Sequence, residues 1–289
     1  MKGYKGKIAA DVPPADLTWY RLGGNARWMA SPADGEELAD LVRRARNSFV
    51  PLKVLGAGAN VLIRDDGFDG VVVRLDSGAF NQISFDDDEV CVGAGYGLMP
   101  LSCGCSDRGL SGLEGMAGIP GSVGGAIRMN AGGRYGEFGD AVERVRVIDS
   151  DGASGELGRD DLRFGYRSSN IGGSVVVSVV LRLTPCDPQR SSRCFRELWA
   201  RKKATQPINE RSAGCVFKNP AEGSAGELID RCGLKGIACG GARVSDRHAN
   251  FIVTDPGATS SDVLTLIDRM RDVVRERAGI DLELEIDVW

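Results

Sequence analysis

The segment Gly118-Ile119-Pro120-Gly121-Ser122-Val123-Gly124-Gly125-Ala126 constrains this chain more than any other stretch. Four glycines and a proline within eight residues leave too few side chains for a core strand, and a stable helix is not expected there. Such a run fits a place where the backbone itself approaches a ligand, its N–H groups facing an anion. Gly56-Ala57-Gly58-Ala59-Asn60, directly after the apolar run Val50–Leu55, has the same character. Two backbone cradles point to a large phosphate-bearing cofactor held at two places. The plainer reading of each is a tight turn at a sheet corner.

At 289 residues the chain is long enough for two or three domains with a sizeable core. No apolar run reaches the roughly 18 residues of a membrane span. Met1–Lys7 carries lysines with no apolar stretch behind them, so no signal peptide is expected and the cytoplasm is the expected compartment. A net charge of −4 argues against nucleic acid as the main partner. Eight cysteines form no CxxC pair and are expected to be reduced and mostly buried. The single histidine, His248, excludes a multi-histidine metal site and reads as a packed or surface imidazole.

Ala26–Ala30 reads as a strand, followed by a helix with Ser31 as N-cap, Pro32 at its first position and Asp34, Glu36 and Glu37 in its first turn. Leu38, Leu41, Val42 and Ala45 give it one apolar face, and it ends near Asn47. Val50–Leu55 and Val71–Leu75 complete a β-α-β unit. Asn60–Asp65 looks extended, which disfavours the dinucleotide-binding fingerprint, where a helix would begin. From Asp76 to Pro185, the strands Val90–Gly93, Val142–Asp149 and Val175–Leu183 alternate with glycine-rich connections, and one helix is expected at Leu98–Arg108. Pro185–Arg193 reads as a linker and Cys194–Lys203 as a basic helix. An amphipathic helix starts at Ser260 or Ser261. Asp281–Trp289 then alternates strictly, with Glu283, Glu285 and Asp287 on one strand face.

Several motifs in order carry a resemblance: Thr18-Trp19-Tyr20-Arg21-Leu22-Gly23-Gly24, Leu55–Leu62, Leu113–Gly125, Phe164-Gly165-Tyr166-Arg167, Ser212-Ala213-Gly214-Cys215-Val216-Phe217-Lys218-Asn219-Pro220, His248–Ile252 and Leu282–Ile286. Together, from about Thr18 to Val288, they resemble the UDP-N-acetylenolpyruvoylglucosamine reductase (UDP-N-acetylmuramate dehydrogenase) family of peptidoglycan precursor synthesis. The short interval between Arg167 and Cys215 is similar to the compact subtype, which lacks an extra tyrosine-bearing loop. The resemblance implies an α+β chain with an FAD-binding fold of the vanillyl-alcohol-oxidase/p-cresol-methylhydroxylase type in two subdomains, 1–76 and 77–190. A C-terminal α+β substrate domain, 191–289, would follow. It also implies FAD as cofactor, NADPH as hydride source and a UDP-sugar substrate.

Residue by residue, the same resemblance implies roles. The cofactor contacts would be Gly56, Ala57, Gly58, Ala59, Asn60, Gly118, Ile119, Pro120, Gly121, Ser122, Val123 and Gly124, with Asn130 and Gly132 near the flavin. Arg167 matches the family's arginine and would grip a carboxylate or enediolate in bidentate fashion. Cys215 stands where most members carry the serine that protonates carbon; a thiol is the stronger acid, and is open to oxidation. Glu285 matches the terminal acid, with Glu283 as the alternative, and Leu284 replaces the usual proline between them. Tyr166, Lys203, Lys218 and Asn219 would contact substrate. Two other readings stay open: a different flavin-dependent sugar or alcohol oxidase, and a flavin binder that has lost activity. Arg167, Cys215–Asn219 and Glu285 favour the reductase.

Overall fold

Local chemistry starts the first helix where a carboxylate can cap it. The structure, a computed structural model, describes residues 3–289; Met1 and Lys2 of the lysine-bearing start lie outside the described residues. Helix α1 spans Gly35–Asn47, and its N-cap is Asp34, whose carboxylate accepts from the N–H groups of Glu36 (2.9 Å) and Glu37 (3.0 Å). This corrects the Ser31 cap: a carboxylate satisfies two orphan donors of the first turn at once and complements the helix dipole. The expected apolar face is the buried one, Leu38, Leu41, Val42 and Ala45.

The described residues fall into two units. The first comprises residues through Ala10, Trp28–Ala57 and Asp69–Lys202; the second comprises Asp11–Arg27, Gly58–Phe68 and Lys203–Trp289. In the first, a four-stranded sheet runs in the order Lys7–Val12, Ala26–Ser31, Phe68–Val73, Leu52–Val54, the last two parallel. A five-stranded antiparallel sheet follows in the order Ser154–Gly158, Val142–Ile148, Val175–Arg182, Glu89–Gly93, Ile83–Asp86. Helices α2 (Leu98–Asp107) and α3 (Val123–Arg128) contribute Leu98, Leu101, Cys105, Val123, Ala126 and Ile127 to one core with Val71, Val92, Val145 and Val179.

Helix α3 is a correction, since helix was not expected in the glycine run. Ser122 caps it by accepting from Gly125 N–H at 3.4 Å, and Val123, Ala126 and Ile127 are buried. Gly124 lies so close to Ala94 that an added Cβ would sit 3.1 Å from that residue's Cβ. Tertiary burial of three apolar side chains outweighs a penalty of about 1 kcal/mol per helical glycine.

The expected linker is also corrected: helix α4 runs Pro188–Thr205. Proline is preorganised for a first helical turn, and Asp187 accepts from Gln189 N–H through Oδ1 (3.2 Å), and from Arg190 and Ser191 N–H (each 3.1 Å) through its backbone carbonyl. The polar stretch is a helix start. The cysteines depart from expectation too: all eight are free, but only Cys105 and Cys232 are buried, while Cys91, Cys103 and Cys194 are exposed.

In the second unit, α5 (Ala225–Arg231) and α6 (Ser260–Ala278) pack with a three-stranded antiparallel sheet, Ala238–Cys239, Ala242–Val244 and Ile252–Thr254. The core of this unit gathers Tyr20, Leu62, Phe217, Ile229, Ile252, Ile267, Met270 and Ile286. The α6 cap is Thr259, in a reciprocal box with Asp262. The alternating C-terminus is a strand only at Asp287–Val288, parallel to Val61–Leu62, while Leu282 and Ile286 point into the core as the alternation requires. Among the described residues, no helix is long and apolar enough to cross a membrane. Replacing Asp34 by Ala is expected to lower stability by about 1 kcal/mol, measured as a lower urea midpoint at unchanged slope.

Candidate active site

The first unit holds a cavity of about 300 Å³ lined by Gly56, Ala57, Arg74, Asn81, Gly121, Ser122 and Arg128 among others. Both glycine segments reach it, and they touch: a Cβ on Gly56 would stand 2.4 Å from the Ser122 Oγ. Arg74 fixes that approach by donating from Nη1 to the Gly56 carbonyl at 2.6 Å. Among the described residues, the N–H groups of Gly56 and Ala57 donate to no other part of the backbone.

The second segment differs from its expectation. Val123 N–H donates to Tyr96 O (2.9 Å), Gly124 to Ala94 O (2.8 Å), Ile119 to Met116 O (2.9 Å) and Gly118 to the Met99 sulfur (2.9 Å). Amides already engaged inside the fold cannot face an anion. The glycines there permit close packing: a Cβ on Gly118, at φ +73°, would meet the Trp199 ring at 2.6 Å. The backbone amides open to a ligand narrow to Gly121 and Ser122 in this segment. Asn130 is likewise corrected as a flavin contact. It is fully buried, donates to Glu137 Oε2 (2.6 Å) and Gly165 O (3.1 Å), and accepts from Gly139 N–H (2.9 Å). Its side chain ties Gly165, Glu137 and Gly139 together instead. Gly132 pairs with Glu137 in a two-residue ladder, where a Cβ would meet the Gly136 carbonyl at 2.5 Å.

Phe164–Gly165 pairs with Ser168–Ser169 in a separate hairpin, leaving Tyr166 and Arg167 at its tip. Arg167 has φ +53°, a conformation costly for a side chain with a Cβ, and its guanidinium carbon lies 5.0 Å from the Tyr166 ring centre. On α4, Lys202 donates from Nζ to the Gly115 carbonyl at 3.2 Å. Burial, reinforced by the Arg167 charge, lowers Lys202 to about 8. Lys203, the expected substrate contact, is exposed in the second unit, its carbonyl accepting from Arg247 Nη1 at 3.3 Å.

In the second unit, Cys215 is half-buried and follows Gly214, whose φ is +75°. Asn250, 2% exposed, clamps the following residues: its Oδ1 accepts from Phe217 N–H (3.0 Å) and its Nδ2 donates to Phe217 O (2.8 Å), while its carbonyl accepts from Val216 N–H (2.8 Å). Glu285, half-buried, donates its N–H to Val216 O at 2.8 Å. Glu283 is 73% exposed and pairs with Lys218 at 2.5 Å. Asn219 Oδ1 accepts from Ala225 N–H at 3.0 Å, at the start of α5. His248 packs edge-on against Phe251, and burial, with the nearby Lys235 charge, lowers it below the usual imidazole range.

Arg74, Arg128 and Asn250 were given no role by the sequence reading, whereas Lys202 lies in Arg201-Lys202-Lys203, a run of candidate cations for substrate phosphates. An arginine interrupting the apolar run Val71–Leu75 was the one available signal for Arg74.

The cavity fits a diphosphate-bearing cofactor: glycines line it, of which Gly56 and Gly95 leave no room for a Cβ, and Arg74 and Arg128 bring cations. A family model described as "FAD binding domain" matches residues 26–158, and one described as "UDP-N-acetylenolpyruvoylglucosamine reductase, C-terminal domain" matches residues 206–289. UDP-N-acetylenolpyruvoylglucosamine reductase 2 of Symbiobacterium thermophilum is 41% identical over 98% of this chain and 92% of its own. The reductase of Moorella thermoacetica is also 41% identical, over 99% of this chain and 95% of its own. The crystal structure of the Thermus caldophilus enzyme superposes with a TM-score of 0.84 at 40% identity, covering 99% of both chains. A solvent-stable cholesterol oxidase, 15% identical, superposes with a TM-score of 0.50 over 64% of this chain and 39% of its own. That likeness shows the fold alone, the FAD-binding fold of the vanillyl-alcohol-oxidase type. Replacing Asn250 by Ala, which strands two buried backbone groups of Phe217, is expected to cost about 2–4 kcal/mol, read as a lower urea midpoint.

Proposed function

The chain belongs to the UDP-N-acetylenolpyruvoylglucosamine reductase family, and we propose how its residues serve that family's reaction, the reduction of UDP-N-acetylglucosamine enolpyruvate to UDP-N-acetylmuramate in peptidoglycan synthesis. Bound FAD would supply the hydride for the terminal vinyl carbon, with NADPH as the source of reducing equivalents. The observation that carries this reading is the glycine-lined cavity with Arg74 and Arg128, in a chain of this kinship.

We assign the cofactor diphosphate to Arg74, Arg128 and the open amides of Gly56, Ala57, Gly121 and Ser122. Negative charge develops on the substrate beside its carboxylate as hydride arrives. Arg167 is the residue to meet it, because a guanidinium holds a carboxylate or enediolate through two parallel bonds. Its positive φ is the kind of strain that a binding or catalytic role retains. Lys202 adds a second cation in the first unit.

Cys215 is the proton donor to the adjacent carbon, its thiol supplying the proton that a serine hydroxyl gives in most members. Glu285 is the terminal acid, donating a hydrogen bond to the substrate carboxylate. Against Glu283 stands its exposure and its pairing with Lys218, which fit a solvated face. Lys218, Asn219 and Tyr166 remain proposed substrate contacts, and we keep 1–76, 77–190 and 191–289 as a proposed functional division, with the cytoplasm as compartment.

The purified protein is expected to be yellow, to bleach anaerobically with NADPH and to recolour on adding the enolpyruvyl nucleotide. Bleaching without recolouring would instead mark a different flavin enzyme or a flavin binder that has lost activity. Replacing Cys215 by Ser is expected to keep turnover within about tenfold, whereas Ala lowers it by about 10² or more; equal rates would remove the thiol from the mechanism. Lys202 loses its proton as pH rises through about 8, so affinity for the anionic substrate is expected to weaken above that pH. Replacing Lys202 by Arg, charged throughout, should move the alkaline limb upward in a kcat/KM profile.

A further inference from the structure

Asn60 closes the first glycine loop, where it reads as a cofactor contact. In the second unit its side chain is turned to another task. Nδ2 donates to the backbone carbonyl of Glu285 at 3.0 Å, and the Asn60 carbonyl accepts from Asp287 N–H at 2.9 Å. The ladder continues from there: Trp289 N–H donates to Leu62 O (2.9 Å) and Arg64 N–H to Trp289 O (3.0 Å). On its other side, Glu285 N–H donates to Val216 O at 2.8 Å, and Lys218 N–H to Glu283 O at 2.8 Å. Both polar groups of the Glu285 backbone are therefore bonded, one to the residue after Cys215 and one to Asn60.

The Asn60 bond is the one of the two that comes from a side chain. It fixes the peptide plane between Glu285 and Ile286, and Ile286 is itself anchored in the core at 4% exposure. Rotation of that plane would swing the Glu285 Cα–Cβ direction, and a misplacement of about 1 Å at a reacting group can cost roughly 10²-fold in rate. We propose that Asn60 is a positioning residue for Glu285, its side chain holding the terminal acid in register with the Cys215 loop instead of contacting the cofactor. The inference rests on the assignment of Glu285 made above.

The test compares Asn60→Ala and Asn60→Asp with the wild-type holoenzyme. Asp keeps the shape but has no donor for the Glu285 carbonyl, so it also covers an alanine variant that fails to fold. Three quantities are measured: FAD affinity by fluorescence titration, the rate of bleaching by NADPH, and the rate of recolouring by the enolpyruvyl nucleotide. Affinity and bleaching are expected to stay within about threefold, while recolouring slows by roughly 10- to 100-fold. In a Glu285→Ala background, adding Asn60→Ala is expected to slow recolouring no further, as coupled residues do in a double-mutant cycle. Independently of substrate, hydrogen exchange of the peptide covering 283–289 is expected to quicken about tenfold in both variants. A tenfold loss of FAD affinity with normal recolouring at saturating FAD would make Asn60 a cofactor contact and overturn the proposal. So would additive losses in the double variant, or unchanged exchange. Wild-type protein that bleaches but never recolours refutes the assigned reaction alone, and the exchange measurement then still decides whether Asn60 holds this segment.

Discussion

In the first unit, everything else in the glycine-lined cavity depends on one close approach, that of the Gly56 backbone to the Ser122 side chain. A side chain of any size at Gly56 would occupy the space of the Ser122 Oγ. The approach is held from behind by the Arg74 guanidinium on the Gly56 carbonyl and by Leu55 N–H bonded to Val73 O at 2.9 Å. On the other wall, Ser122 caps α3, and the helix is kept in place by three buried apolar side chains. The cavity is thus a consequence of core packing carried to its surface by backbone bonds. A cofactor bound there meets a wall that needs little rearrangement, which lowers the ordering cost of binding.

The second unit solves a different problem, the placement of Cys215 and Glu285, which lie far apart in sequence. It does so through the backbone. Val216 lies between Asn250, which takes its N–H, and Glu285, which gives to its carbonyl. Asn250 is deeply buried, so these bonds are shielded from competition with water. Side chains one residue from such bonds inherit their precision, whereas Glu283 and Lys218, on the exposed face, form a pair that contributes little to stability.

How far the residues alone could be read depended on which force decided each position. The α1 face and the Val175–Arg182 strand were legible because apolar period reports burial directly. The start of α4 was not, because Pro, Ser and Gln favour a linker by composition while proline is equally at home in a first helical turn. Helix α3 was hidden by its glycines, whose helix penalty is local and whose compensation is tertiary. Asn130 sat beside the glycine run and so looked like a ligand contact; its three internal bonds depend on Gly165 and Glu137, which no spacing rule links to it.

The sequence by itself determined where two glycine segments lie, that one arginine, one thiol and one terminal carboxylate are the reactive candidates, and that family kinship follows from the order of the motifs. Those are properties of residue type and succession. Tertiary structure alone decided that Asp11–Arg27 and Gly58–Phe68 group with the C-terminal part of the chain. It alone decided which amides remain open, that Arg74 braces Gly56, and that Asn60 reaches Glu285. The reason is physical: a hydrogen bond between residues far apart along the chain costs loop-closure entropy that only the assembled core offsets, so nothing local in the chain records it.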